Sequence, residues 1–246
     1  MQKRGFSQEG LKLVACVTML LDHIAVAIVA SSVRSATGAD REVFLQLYNA
    51  LRTIGRLAFP IFCFLLVEGQ AHTRDAKRYG QRLLIGAILA EIPFDLALFG
   101  RLTSEHQNVM VTLLLGFVML EIMKKCPKHL LKLLEVLPFA FAAEKLGSDY
   151  GAMGILVIAV FAFTQNLKYK HLWQFLGIWF IFSPNHLMVL NWLGGIHWTI
   201  QELAVFAVVP IALYSGKKAT NSKLLQWVFY LFYPAHLLIL YLIQTM

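Results

Sequence analysis

Residues 11–32 read LKLVACVTMLLDHIAVAIVASS, an apolar run that carries an acid and an imidazole, Asp22 and His23, past its middle. The run is as long as a helix needs to cross a bilayer, about 20 residues. Runs of the same kind recur along the chain, and the composition agrees. Apolar residues make up 58% of 246, charged residues only 15%, and the mean hydropathy is +0.63. Ordinary water-soluble domains fall well short of that apolar share. The first run exceeds a signal-peptide core and lacks a small-residue cleavage pattern, so it reads as a retained span.

The expected fold is all-α, a polytopic integral membrane bundle and a single domain over residues 1–246. Spans are read at roughly 11–31, 51–70, 82–100, 107–124, 130–145, 151–167, 171–184, 199–215 and 224–244. Glu135 and Pro138 interrupt the fifth, and SPNHLMVLNWLGGIHW (183–198) reads as a loop or a re-entrant hairpin, so eight or ten crossings are the alternatives. Basic clusters occupy every second connection: Lys3 and Arg4; Arg74, Lys77, Arg78 and Arg82; Lys124, Lys125, Lys128 and Lys132; Lys168 and Lys170; Lys217, Lys218 and Lys223. The intervening RSATGADRE, RLTSEHQN and EKLGSDY are mixed. Such alternation favours nine spans, with the N-terminus cytoplasmic and the C-terminus extracytoplasmic. The net charge of +8 then reflects orientation, with no nucleic acid implied. Some of these cations are also available to an anionic nucleotide or to membrane lipids. Cys16, Cys63 and Cys126 suggest neither a disulfide framework nor a zinc site.

Sequence position converts to depth at 1.5 Å per residue, which puts His23 roughly 18 Å along the first span, just past the midplane. Asp22 sits beside it, and Thr18 lies one turn below. LRTIGRLAFPIFCFLLVEG (51–69) places Arg56 in its outer half and Glu68 near its cytoplasmic end. Pro60 deprives the Arg56 carbonyl of its helical donor and bends the helix there. RLLIGAILAEIPFDLALFG (82–100) carries Glu91 and Asp95 one turn apart on one face; both cannot stay ionised in hydrocarbon without a partner such as Arg56 or Arg101. Arg56 with Asp95 reads equally well as a structural clamp. Asn108, Asp149 and Tyr150 lie at the outer level, and His236 follows Pro234 in the last span. Asn185, His186 and His197 fall in the seventh connection, where ordinary loop residues are the plainer reading. Each central charge costs about 2.5–3.5 kcal/mol in hydrocarbon, so these groups are expected to face one another across a protein-lined cavity. Asp22 would orient His23, the pairing used for acid and base work in group transfer.

The strings LKLVACVTMLLDHIA, LRTIGRLAFPIFCFLLVEG, HTRDAKRYGQRLL, AEIPFDLALFG, QNVMVTLLLG, DYGAMGILVI and FYPAHLLILY, in this order, resemble the TraX family. The likeness covers nearly the whole chain, is specific through the first six spans, and thins over residues 165–225. The family's namesake acetylates the N-terminus of conjugative F-type pilin. More distantly the family is similar to transmembrane acyltransferases, which carry an acyl group from cytoplasmic acyl-CoA to an extracytoplasmic acceptor. The resemblance carries over to His23, Arg56 and the Glu68–Gly69 pair.

The resemblance implies an acyltransferase that takes acetyl-CoA as donor and requires no metal. Its acceptor would be a peptide N-terminus, a sugar or a lipid head group. The candidate catalytic set is His23, Asp22, Arg56, Glu91 and Asp95; the candidate donor-binding set is Glu68, Arg74, Lys77, Arg78 and His236. His23 would act as general base or transient acyl carrier, and Arg56 would stabilise the oxyanion. The competing class is a proton-coupled secondary transporter, with Asp22, His23, Glu91 and Asp95 as a proton relay. The expected location is the inner membrane of a bacterial cell, crossed many times, and association as a homo-oligomer stays open.

Overall fold

The computed structural model describes residues 5–102, 105–183, 199–220 and 222–246, and among them the chain is all helical apart from two isolated bridges. Expectations for Asn185, His186 and His197 lie outside the described residues.

Helix α1 (Gln8–Ile24) starts where the Ser7 hydroxyl accepts from the Gly10 N–H at 3.1 Å, a side-chain cap on a donor that the helix leaves free. It passes into a π-helical turn (Ala25–Val29) directly after His23 and continues as α2 (Ala30–Ser35). The loop expected at RSATGADRE shrinks to the two extended residues Ala36 and Thr37. α3 (Gly38–Gly55) opens at Gly38, whose positive φ of 57° suits a residue without a side chain. α3 and α4 (Ala58–His72) form one rod broken at Arg56–Leu57. The break follows from Pro60, which has no N–H for the Arg56 carbonyl, as expected. Leu57 instead donates to Ile54 at 3.3 Å.

α5 (Ala76–Phe99) begins two turns before the expected span, capped by the Asp75 carboxylate on the Arg78 N–H, and ends on Gly100 with φ 67°. α6 (Val109–Lys125), α7 (His129–Lys145), α8 (Gly151–Thr164) and α9 (Lys170–Phe182) follow close to the expected spans, and Pro138 does not break α7. A 3₁₀ segment (Glu202–Ala207), α10 (Val208–Ala212) and α11 (Lys223–Thr245) complete the chain.

α4 is the axis of the bundle, buried from Ala58 to Val67 except at the half-buried Phe62, and packed on α1, α6, α8 and the 3₁₀ segment. Outside, the surface is apolar: Ile88, Leu89 and Ile92 on α5, Leu134 and Leu137 on α7, and Ile239 and Leu242 on α11 are all exposed. Water does not tolerate apolar faces of that extent, whereas lipid does. Gln8–Ser35, Gly38–His72 and Leu224–Thr245 are each long and apolar enough to cross a membrane, at 28, 35 and 22 residues. The two ends of the chain lie at opposite ends of the bundle. Phe6 pairs with the backbone of Leu213 and Ser215, while Gln244 donates to the carbonyls of Ala27 and Ala97.

One close approach holds α1 to α3. A Cβ on Gly55 would collide with the Asp22 side chain, so only glycine allows the two helices this near. Gly55→Ala should therefore lower stability by about 1–3 kcal/mol, the usual range for overpacking. Thermal unfolding in detergent reads this, and an unchanged midpoint would show that the crossing yields without cost.

Candidate functional site

The close crossing at Gly55 puts Asp22 between two arginines that stand one turn apart on the α3–α4 rod. Arg52 Nη1 donates to Asp22 Oδ2 at 2.6 Å, and Arg56 Nη2 donates to Oδ1 at 2.5 Å. Arg56 is the more buried guanidinium; it also donates to Gln201 Oε1 at 2.8 Å and to the Arg52 carbonyl at 3.3 Å. Each Asp22 oxygen thus meets a charged donor, the arrangement that makes a buried carboxylate tolerable. The expected partner of Arg56 was Asp95, which is buried on α5. Asp22 takes that place, and among the described residues no hydrogen bond joins it to the His23 ring. Thr18 bonds the carbonyls of Val14 and Ala15 on its own helix. Arg101 is exposed.

His23 is oriented from the last helix. Its Nδ1 lies 2.6 Å from His236 Nε2, with the two rings within 7° of coplanar, and His236 Nδ1 lies 2.7 Å from the Phe232 carbonyl. A carbonyl only accepts, so His236 carries its proton on Nδ1 and its Nε2 is an acceptor. That assigns a donating proton to His23 Nδ1 and leaves the lone pair of His23 Nε2 free. Pro234 is the local device: it cannot donate to Tyr230 and loosens α11 just before His236.

Glu91 closes a different joint. Its Oε2 accepts from the side chain and, at 3.3 Å, the N–H of Asn108, and Asn108 in turn caps α6 through the Met110 N–H. A carboxylate at the positive end of a helix is stabilising without further help. Asp149 is pinned by its N–H on the Gln107 carbonyl at 2.8 Å and by Thr112, whose hydroxyl donates to its carbonyl. Burial pushes its carboxyl from the usual 3.8 up to about 6, against the pull of Arg56. Next to it Tyr150 holds φ at 66°, a strained value for an aromatic residue, and stacks on Phe59 with centroids 3.8 Å apart. Burial raises the Tyr150 hydroxyl as well.

A cavity of ≈ 320 Å³ opens at the end of the bundle where the chain begins and reaches in as far as Met19, Val109 and Tyr233. From α1 it is lined by Gln8, Lys12 and Met19; from α11 by Gln226, Tyr230 and Tyr233. Both series follow helical spacing, and the next residue on each face is a member of the histidine pair: His23 four residues past Met19 and His236 three past Tyr233. At 1.5 Å per residue the imidazoles lie about 5–6 Å beyond the innermost of those side chains. The mouth carries Lys12, Arg82 and Lys218 among Tyr79, Phe229 and Tyr230, with Glu9 and Glu68 at its edge. The Arg82 guanidinium stands 5.5 Å from the Tyr79 ring and 5.8 Å from that of Tyr230.

The structure therefore brings Asp22, His23, Arg56 and His236 into one region and sets Glu68 at the mouth. Glu91 caps α6, Asp95 is buried on α5, and Arg74, Lys77 and Arg78 are exposed and do not line the cavity. Sequence reasoning passed over Arg52, Lys12, Arg82 as a cavity wall, Tyr233 and Gln201. Arg52 carried a signal, since it lies four residues before Arg56 on the same helix. Lys12 carried another, as a cation at the start of an apolar run.

Two expectations follow. Asp22→Asn leaves two guanidiniums without their counter-ion and should cost about 3–5 kcal/mol, the range for one lost member of a buried ion pair; denaturation in detergent measures it, and Arg52→Gln should cost less because Arg52 is the more exposed partner. For Asp149, the fold keeps the proton up to about pH 6 while the unfolded chain gives it up above 3.8. Folding takes up a proton in that window, so stability should fall as pH rises from 3.8 to about 6 and then level. Asp149→Asn should remove that slope in a thermal-shift series.

Comparison with known proteins finds similarity over nearly the whole chain. The family model described as TraX protein matches residues 7–244. The probable fimbrial assembly protein FimC, serogroup H1, of Dichelobacter nodosus is 28% identical over 258 residues, covering 96% of this chain and 94% of the relative. No solved structure matches. A helical, lipid-facing chain aligned with one family model from its first helix to its last belongs to the TraX family.

Proposed function

We propose that this chain is an integral membrane acyltransferase that moves an acetyl group from cytoplasmic acetyl-CoA to an amine or hydroxyl of an extracytoplasmic or membrane-associated acceptor. In this reading the chain crosses the inner membrane of a bacterial cell nine times, with its N-terminus inside. The carrying observation is the cavity that begins among cations and aromatic rings and whose two lining faces lead to the histidine pair. Its chemistry fits the donor part by part. Lys12, Arg82 and Lys218 suit phosphates, Tyr79 and Tyr230 suit a purine face, and the apolar inner walls at Met19, Leu83 and Leu113 suit a pantetheine arm. Membership of the TraX family and the relative's name, a fimbrial assembly protein, favour a peptide amine of a fimbrial subunit as acceptor.

His23 Nε2 takes a proton from the acceptor amine while the amine nitrogen attacks the thioester carbonyl. The C–S bond then breaks, and the proton held on His23 passes to the departing thiolate, leaving amide and thiol. His236 acts through His23: its Nε2 holds the Nδ1 proton in place and supports the imidazolium as it forms. Arg52 and Arg56 lie within electrostatic reach of His23 and supply positive charge beside a developing oxyanion.

Purified protein should show a saturable thermal shift with acetyl-CoA. His23→Ala should abolish transfer while the shift with acetyl-CoA persists. Lys12→Glu with Arg82→Glu should raise the KM for acetyl-CoA by about tenfold or more with less effect on kcat. His236→Gln, which keeps an acceptor for His23, should retain more activity than His236→Ala. Absence of any acetyl-CoA shift together with uptake of a solute into vesicles would overturn the reading.

A further inference from the structure

The donor cavity does not use every cation at its end of the bundle: Arg78 lies outside it, and Arg82 stands in the wall between it and a neighbouring hollow. Between the first turns of α5 and α11 a second hollow of ≈ 460 Å³ opens sideways, with Arg78, Gln81, Arg82 and Ile85 on one wall and Trp227 and Tyr230 on the other. We infer that this hollow binds the headgroup of an anionic phospholipid, with the phosphodiester between Arg78 and Arg82 and the acyl chains along the outer faces of α5 and α11.

The polarity of α5 locates the hollow at the membrane boundary: its exposed side chains change from Lys77, Arg78 and Gln81 to Leu84, Ile85 and Ile88. On α11, Gln226 and the half-exposed Trp227 stand at the same level as that change, between the exposed Leu224 and the exposed Val228 and Leu231. A tryptophan at that level is the usual marker of the headgroup layer. Two guanidiniums meet there. Arg82 is fixed by its flanking rings and by Tyr230, whose hydroxyl its Nε meets at 3.5 Å. Arg78 gives its Nε to Asp75 at 3.0 Å, and its terminal nitrogens remain for a phosphate. Among the described residues Asp75 is the acid ion-paired with Arg78, and one carboxylate leaves the two guanidiniums with net positive charge. Arginine suits phosphate because its planar fork matches two oxygens at once. A free phosphate would gain only these cations. A lipid also covers the exposed Ile85, Val228 and Leu231 that continue the hollow into the hydrocarbon layer.

Full-length protein in a maltoside detergent is titrated with phosphatidylglycerol, phosphatidylcholine and inorganic phosphate. Phosphatidylglycerol should raise Tm saturably, the other two should not, and Arg78→Gln with Trp227→Leu should lose the shift. Both side chains are exposed, so the double variant folds. An equal shift with phosphatidylcholine means non-specific lipid solvation, an equal shift with phosphate means a free-anion site, and a full shift in the double variant means another site. Each overturns the proposal. Quenching of Trp227, read as wild type minus Trp227→Phe, should likewise be stronger with brominated phosphatidylglycerol than with the brominated choline lipid. None of these readouts involves acetyl-CoA, so their failure leaves the acyltransfer reading intact.

Discussion

The ion cluster of Asp22, Arg52 and Arg56 is the constraint around which the bundle is arranged. Three charges at the level of hydrocarbon would each cost about 2.5–3.5 kcal/mol if left alone, together comparable with the stability of a whole domain. They are tolerable only if the carboxylate meets both guanidiniums at hydrogen-bond length, and that requires α1 to touch the α3–α4 rod. Gly55 provides the contact, and the break at Arg56–Leu57 turns Arg56 toward both Asp22 and Gln201. The 3₁₀ segment is drawn in by the same side chain, since Gln201 immediately precedes it.

The cluster also explains why two adjacent polar residues have separate duties. Neighbours on a helix point about 100° apart and cannot share a partner face. With Asp22 committed to the arginines, His23 is turned toward α11, where His236 receives it. Asp22 and His23 therefore join α1 to different neighbours, the carboxylate to the arginines of the α3–α4 rod and the imidazole to His236 of α11. The second contact depends on the first, because a shift of α1 that freed Asp22 would carry His23 Nδ1 away from its partner.

Much of this was legible in the amino-acid sequence. Apolar runs predicted the helices, and Pro60 predicted the break beside Arg56. Helix rise put Asp22, His23 and Arg56 at one level, where Asp22 meets Arg56 and His23 meets His236. Partner choice was less legible. Arg56 had three carboxylates within plausible depth, and nothing in one-dimensional spacing separates Glu91 and Asp95 from Asp22; helix rotation decides that, and it depends on packing at Gly55. Residues 34–35, 38–42 and 76–81 are helical, because polar residues on a helix end have the same composition as a loop. Of the basic residues at Arg74, Lys77, Arg78 and Arg82, Arg82 lines the cavity, where it is joined by Lys12 and Lys218 from distant parts of the chain, a grouping that spacing along one connection does not reveal.

The π-helical turn after His23 completes the logic. A helix that gains one residue in a turn rotates everything beyond it by roughly 100° relative to a regular helix. Without that rotation, α1 would have to satisfy Asp22, His23 and the packing of its outer end on α3 with a single phase. With it, the segment from Ala30 packs on α3 in its own register, while Asp22 and His23 keep theirs. Gln244 holds the turn in place through the Ala27 carbonyl, and its second bond to Ala97 ties the same point to α5. Gln244 also lies on the α11 face that carries Tyr233 and His236, two turns further on. The residue that braces the outer end of α1 therefore belongs to the helix that supplies the partner of His23, so imidazole spacing and helix register are set by the same packing.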